Sequence, residues 1–148
     1  MIDSVMHFGF TVRNLQNSLT FFCEGLGFEV LQTFERAGEY TQKVTGVEDT
    51  SIHAALIRGY GTVLELLEYS GREDRPARGV PVYYPGSAHL CFEVHDIEQE
   101  MAFLTRKGAS FQKEITTVPF AQGKGNKVVY GWDPDGIAFE LVERKRQA

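Results

Sequence analysis

Between residues 4 and 12 the side chains alternate, with Met6, Phe8, Phe10 and Val12 on one face of an extended segment and Val5, His7, Gly9 and Thr11 on the other. The period then lengthens. Leu15, Leu19, Phe22 and Leu26 recur at helical spacing behind Asn14, a residue suited to cap a helix, and Gly27 ends the run. The same change of period returns after residue 87. Leu90, Phe92 and Val94 alternate, Ile97, Met101 and Leu104 form a stripe before Gly108, and Asp96 with Gln99 makes a capping-box pattern. Strand-like stretches follow each helix, at about 28–36, 52–59 and 61–69 and again at about 109–115, 126–132 and 136–143. "RGYG" and "DPDG" stand where hairpin turns belong.

The two halves are copies of one pattern. His7 falls on His89, Phe10 on Phe92 and Val12 on Val94 at an offset of 82, while "GTVLELLE" (61–68) falls on "GIAFELVE" (136–143) at an offset of 75. Loop length absorbs the difference. The pattern predicts an α+β fold of two βαβββ modules in a single domain, 1–148, with module one at 1–69, a linker at 70–86 and module two at 87–148.

Each predicted sheet has one face of large apolar residues: Phe8, Phe10, Leu64 and Leu66 in module one, Leu90, Phe92, Phe139 and Leu141 in module two. The opposite faces carry His7 and Glu65, and His89 and Glu140, flanked by small or apolar neighbours such as Gly9, Val63, Cys91 and Ala138. A carboxylate desolvated in such company costs several kcal/mol unless it finds a partner. Two histidines and two glutamates at equivalent places can satisfy one another by sharing a divalent metal ion. Imidazole nitrogen with carboxylate oxygen suits cobalt, nickel, zinc, manganese or iron rather than calcium. A lone strand histidine is ordinarily structural, and the duplication is what favours ligation here. Glu68 and Glu143, three residues further on, face the other way and read as solvated strand ends. His53 and His95 have no counterpart across the repeat and read as surface or loop residues, and Cys91 as a packing residue on the pocket face.

Composition narrows the partners. Fifteen basic against 20 acidic residues give a net charge of −5, and the basic residues are scattered apart from Arg144, Lys145 and Arg146. That balance offers no footprint for nucleic acid or an anionic membrane. Only Cys23 and Cys91 occur, too few for a structural zinc cluster, and the start "MIDSVMHFGF" has neither a basic leader nor a long apolar run. A reducing, cytoplasmic setting is the expectation.

The segments "HFGFTVRNLQNSLTFFCEGLGFEVL", "TVLELLEY", "HLCFEV" and "DPDGIAFELVE" resemble the vicinal oxygen chelate (glyoxalase/bleomycin resistance protein/dioxygenase) superfamily over nearly the whole chain. The nearest likeness is to methylmalonyl-CoA epimerase-like and glyoxalase I-like members. The resemblance implies modules related by a pseudo-twofold axis, with their sheets forming a cleft around one divalent metal ion. His7, Glu65, His89 and Glu140 match the family's ligand positions, and Glu140 matches the position that serves as ligand and base. Glu65 is the corresponding second acid/base partner. A small-molecule substrate and a homodimer are also implied, with the site closed either within one chain or across two.

The activity implied is proton transfer at a carbon next to a carbonyl, by an isomerase or lyase acting on an oxygenated metabolite or an acyl thioester. An epimerase-like reaction stands first and a glyoxalase I-type lactoylglutathione lyase second. Glu65 departs from the amide typical of the epimerase, and no residue cluster is assignable to glutathione. An extradiol dioxygenase is disfavoured because Glu65 crowds a two-histidine, one-carboxylate iron site. A drug- or metabolite-binding protein is disfavoured because all four metal residues are present. Beyond these, Tyr40, Tyr83, Tyr84, Tyr130 and Trp132 are candidates to cap a pocket, and Glu48 is a candidate second base. Arg72, Arg75 and Arg78 are candidates to meet a substrate phosphate or carboxylate, and 120–127, with Lys124 and Lys127, reads as a lid.

Overall fold

A computed structural model describes residues 1–72 and 79–146. The chain forms two compact units, Met1–Ala77 and Arg78–Ala148, each an α+β module. Among the described residues no helix is long and apolar enough to cross a membrane.

Module one runs β1 (Phe8–Val12), α1 (Leu15–Thr20), β2 (Glu29–Ala37), α2 (Gly38–Thr45), β3 (Ser51–Gly59) and β4 (Thr62–Ser70). Its sheet has the order β1-β4-β3-β2, with β1 parallel to β4 and the other pairs antiparallel. The alternating segment at 4–12 becomes a strand only from Phe8, where Leu64 of β4 stands opposite. Helix α1 widens into a π-helical turn over Phe21–Gly25, where the Leu26 N–H donates to the Phe21 carbonyl at 3.1 Å. One extra residue in that turn rotates the apolar stripe. Ser18, Phe21, Phe22 and Leu26 are buried, while Leu15 and Leu19 are only half-buried. Helix α2 lies in a stretch for which the pattern predicts no element; it is polar, with Thr41 its one buried residue.

Module two runs β5 (His89–Val94), α3 (Ile97–Arg106), β6 (Ser110–Phe111), β7 (Thr116–Thr117), β8 (Lys127–Trp132) and β9 (Ala138–Glu143). The order is β5-β9-β8-β6, with β7 also on β8 and β5 parallel to β9. The strand predicted at 109–115 is thus reduced to β6, with β7 just beyond it, and the two pair with opposite ends of β8.

Burial follows strand position. Leu64, Leu66, Phe139 and Leu141, on the inner strands β4 and β9, are at most 2% exposed, but Phe8 on the edge strand β1 is 55% exposed. Leu90 and Phe92 on the edge strand β5 are half-buried.

Both helix starts are anchored twice. Asn14 Oδ1 accepts from the Asn17 N–H at 2.8 Å and Asp96 Oδ1 from the Gln99 N–H at 2.9 Å, the caps read from the pattern. The second anchor corrects the reading of Glu68 and Glu143 as solvated. The Leu15 N–H donates to Glu68 Oε2 at 2.6 Å, and the Ile97 N–H to Glu143 Oε2 at 2.9 Å. A carboxylate at the positive end of a helix is also favoured by the helix dipole. Lys127 joins this cluster, 3.3 Å from Glu98 and 3.5 Å from Glu143, and so serves the α3 start rather than a lid. The rest of the glycine-rich stretch is folded back on itself, with the Val118 N–H donating to Asn126 and the Gly125 N–H to Val118, both at 2.8 Å.

Candidate metal centre

Parallel pairing of the first and last strand of each module brings a histidine beside a glutamate. In module one Gly9 lies opposite Glu65, and His7 is two residues earlier, immediately before β1 begins. His7 Nε2 stands 3.2 Å from Glu65 Oε2. Module two repeats the register, with Cys91 opposite Glu140 and His89 opposite Ala138. There His89 Nε2 stands 3.7 Å from Glu140 Oε2. The histidine side chains are 37% and 41% exposed and the carboxylates 20% and 23%, so the imidazoles are open to a ligand while the acids are largely covered.

The donor chemistry fits a divalent cation. Two donors bound to one ion at about 2.1 Å stand about 3 Å apart at a right angle and about 3.4 Å apart at a tetrahedral angle. The observed 3.2 Å lies within that span and 3.7 Å just beyond it. Each module brings together one such pair. Among the described residues no group of three or more His, Cys, Asp and Glu side chains is placed to hold one metal ion.

The two glutamates have different neighbours. Leu56 lies opposite Glu65 across the β3–β4 pair, whereas Tyr130 lies opposite Glu140 across β8–β9. The Tyr130 hydroxyl is 3.2 Å from His89 Nε2 and 3.4 Å from Nδ1. Burial pushes the Tyr130 hydroxyl pKa upward, and the charges of Glu140 and Cys91 add to it. The Cys91 thiol is pushed up to about 11, first by partial burial and then by the Glu140 charge and a hydrogen bond to that carboxylate. Cys91 is therefore a thiol at neutral pH and no nucleophile.

The remaining candidates are scattered. Tyr40, Tyr83 and Tyr84 are exposed, with Tyr83 packed edge-on against Tyr84, and Trp132 is half-buried opposite Ala138 on the His89 face. Glu48 accepts from Gln42 Nε2 at 3.3 Å. His53 is a surface residue, on β3 rather than in a loop, and pairs with Glu35 at 3.3 Å; His95 is exposed. Arg75 and Arg78 lie outside the described residues. Pattern reading did not separate Tyr130 from the other aromatics. The hairpin held the signal, since pairing outward from "DPDG" sets Trp132 against Ala138 and then Tyr130 against Glu140.

Residues 4–141 match the profile described as the Glyoxalase/Bleomycin resistance protein/Dioxygenase superfamily. The chain belongs to this superfamily. Among its superfamily relatives, a lactoylglutathione lyase from Schizosaccharomyces pombe is 28% identical over 144 residues, covering 90% of this chain but 45% of that protein. The chain thus spans about half the length of that relative. A 2-epi-5-epi-valiolone epimerase from an Actinomyces species is 29% identical over 145 residues, 94% of this chain and 78% of the epimerase. The crystal structure of a glyoxalase family protein from Bacillus cereus shares the fold, with a TM-score of 0.80 over 97% of each chain at 22% identity. The expected superfamily and its α+β, two-module fold are borne out.

Proposed function

We propose that this protein is a divalent-metal-dependent enzyme that moves a proton at a carbon beside a carbonyl, an epimerase-like isomerase acting on a small oxygenated metabolite or acyl thioester. The observation that carries the reading is the duplicated pair, His7 with Glu65 and His89 with Glu140, at one register in both modules. These four side chains would hold the ion. When bound, a divalent cation of the cobalt, nickel, zinc, manganese or iron kind supplies Lewis-acid polarisation of the substrate's carbonyl oxygen. Glu140 accepts the proton from the α-carbon, and Glu65 is the second carboxylate from which a proton returns when configuration is inverted. The working form is a homodimer in the cytoplasm, with a small molecule as partner.

A glyoxalase I-type lyase is the second reading, favoured by the lactoylglutathione lyase among the relatives. It uses the same carboxylate chemistry on a different substrate. The test joins metal analysis to exchange. Protein purified without chelator should carry about one divalent ion per chain, lost in His7→Ala. With 2-epi-5-epi-valiolone and with lactoylglutathione in D2O, NMR reads which substrate exchanges its α-proton. Glu140→Gln should slow that exchange at least a hundredfold, of the order expected for removing a general base. A protein that neither carries nor takes up any of the five ions overturns the reading. Unchanged exchange in a metal-bound Glu140→Gln variant removes Glu140 as the base.

A further inference from the structure

The two His–Glu pairs are alike in register but unlike in company. Gly9 and Leu56 flank Glu65 on its two neighbouring strands, and offer it no polar side-chain atom. Cys91 and Tyr130 flank Glu140 at the corresponding places, and both carry a hydrogen-bonding group. The Tyr130 hydroxyl stands nearly the same distance, 3.2 and 3.4 Å, from the two nitrogens of His89. Those nitrogens flank a single ring carbon. An oxygen in the ring plane at those distances would overlap that carbon, so the hydroxyl lies off the plane, over the imidazole. It therefore does not occupy the in-plane lone pair of Nε2, the one a metal ion would use. Its O–H remains available to a third group beside Glu140. A partly buried hydroxyl without a directed acceptor is a group placed to meet a ligand oxygen.

We propose that Tyr130 is a substrate-binding residue, whose hydroxyl donates a hydrogen bond to a carbonyl or anionic oxygen of the substrate beside Glu140. Module two then contributes both the base, Glu140, and a donor to the substrate, Tyr130. The inference rests on the metal-dependent reading above and selects substrates that carry an oxygen acceptor on the Glu140 side. A bond from a neutral hydroxyl to an anionic oxygen is of the stronger, charge-assisted kind.

The test uses the whole chain, cobalt(II) and acetohydroxamate, whose two adjacent oxygens imitate an ionised chelating substrate. Cobalt(II) affinity is read from its visible absorption and hydroxamate affinity by calorimetry on the loaded protein. Tyr130→Phe removes one oxygen atom and keeps the ring. Cobalt(II) affinity should stay within about twofold of the parent, because the hydroxyl does not engage the ligand lone pair. Hydroxamate affinity should fall about tenfold, as loss of a charge-assisted hydrogen bond predicts. Unchanged hydroxamate affinity on cobalt-loaded Tyr130→Phe overturns the role of Tyr130 and leaves the metal centre standing. A tenfold loss of cobalt(II) affinity in the variant also overturns it, since the hydroxyl would then serve His89 as a positioning group. Failure of the parent protein to bind cobalt(II) removes the metal-dependent reading and this inference with it.

Discussion

Asp133, in the turn between β8 and β9, is 4% exposed, and its two carboxylate oxygens have opposite fates. Oδ1 accepts from the Asp135 N–H at 2.9 Å and the Ile137 N–H at 2.7 Å. Oδ2 is buried and has no hydrogen-bond partner among the described residues. Burial is the largest influence and outweighs the backbone donors, so the carboxyl is pushed from 3.8 up to about 6. That rise makes the ionised form about 3 kcal/mol dearer in the folded than in the unfolded chain. Because the folded pKa is the higher, the folded state holds the proton more tightly between pH 4 and 6, and stability falls as pH rises through that window. Asp133→Asn keeps the Oδ1 acceptor and cannot ionise. Urea unfolding of both proteins at pH 4, 5, 6 and 7 should show the parent losing about 2.4 kcal/mol relative to the variant from pH 4 to pH 7, the rest of the shift being expressed below pH 4. At an m-value of about 1–3 kcal/mol/M this is a midpoint difference of at least about 0.8 M. Parallel pH profiles would refute the argument. A parent that gains on the variant as pH rises would mean that the two backbone donors, and not burial, govern this carboxyl.

The helix anchors and the site thiol give two further tests. Glu68→Ala and Glu143→Ala should each lower stability by about 1–2 kcal/mol in urea unfolding, with the glutamine variants recovering part of the loss. No loss would return these residues to the role of solvated strand ends. At pH 8 Cys91 should react with iodoacetamide about a hundredfold more slowly than an ordinary cysteine, as a pKa of about 11 requires, and faster in Glu140→Gln. Peptide mass analysis separates it from Cys23, and an ordinary rate in the parent would refute the shift.

What the chain alone determined is local or periodic. Asn14 and Asp96 cap the helices because a short polar side chain reaches a backbone N–H three residues on, an interaction that needs no tertiary partner. Strand alternation assigned His7, Glu65, His89 and Glu140 to faces, and the internal repeat marked them as equivalent. The parallel register that turns those assignments into contacts of 3.2 and 3.7 Å is a tertiary decision, since it joins residues about 50 or more positions apart. Tertiary structure also decided what periodicity cannot carry. The π turn at Phe21–Gly25 rotates the buried stripe of α1 by one residue, because side-chain packing against the sheet overrides the regular 3.6-residue period. Glu68 and Glu143 looked like exposed strand ends because the groups that need them, the N–H donors of Leu15 and Ile97, lie 53 and 46 residues away. Tyr130 was one aromatic among several until pairing across the β8–β9 hairpin set it beside Glu140. Near neighbours in sequence write local structure and faces; which faces meet, and which hydroxyl stands over which imidazole, depends on packing between distant segments.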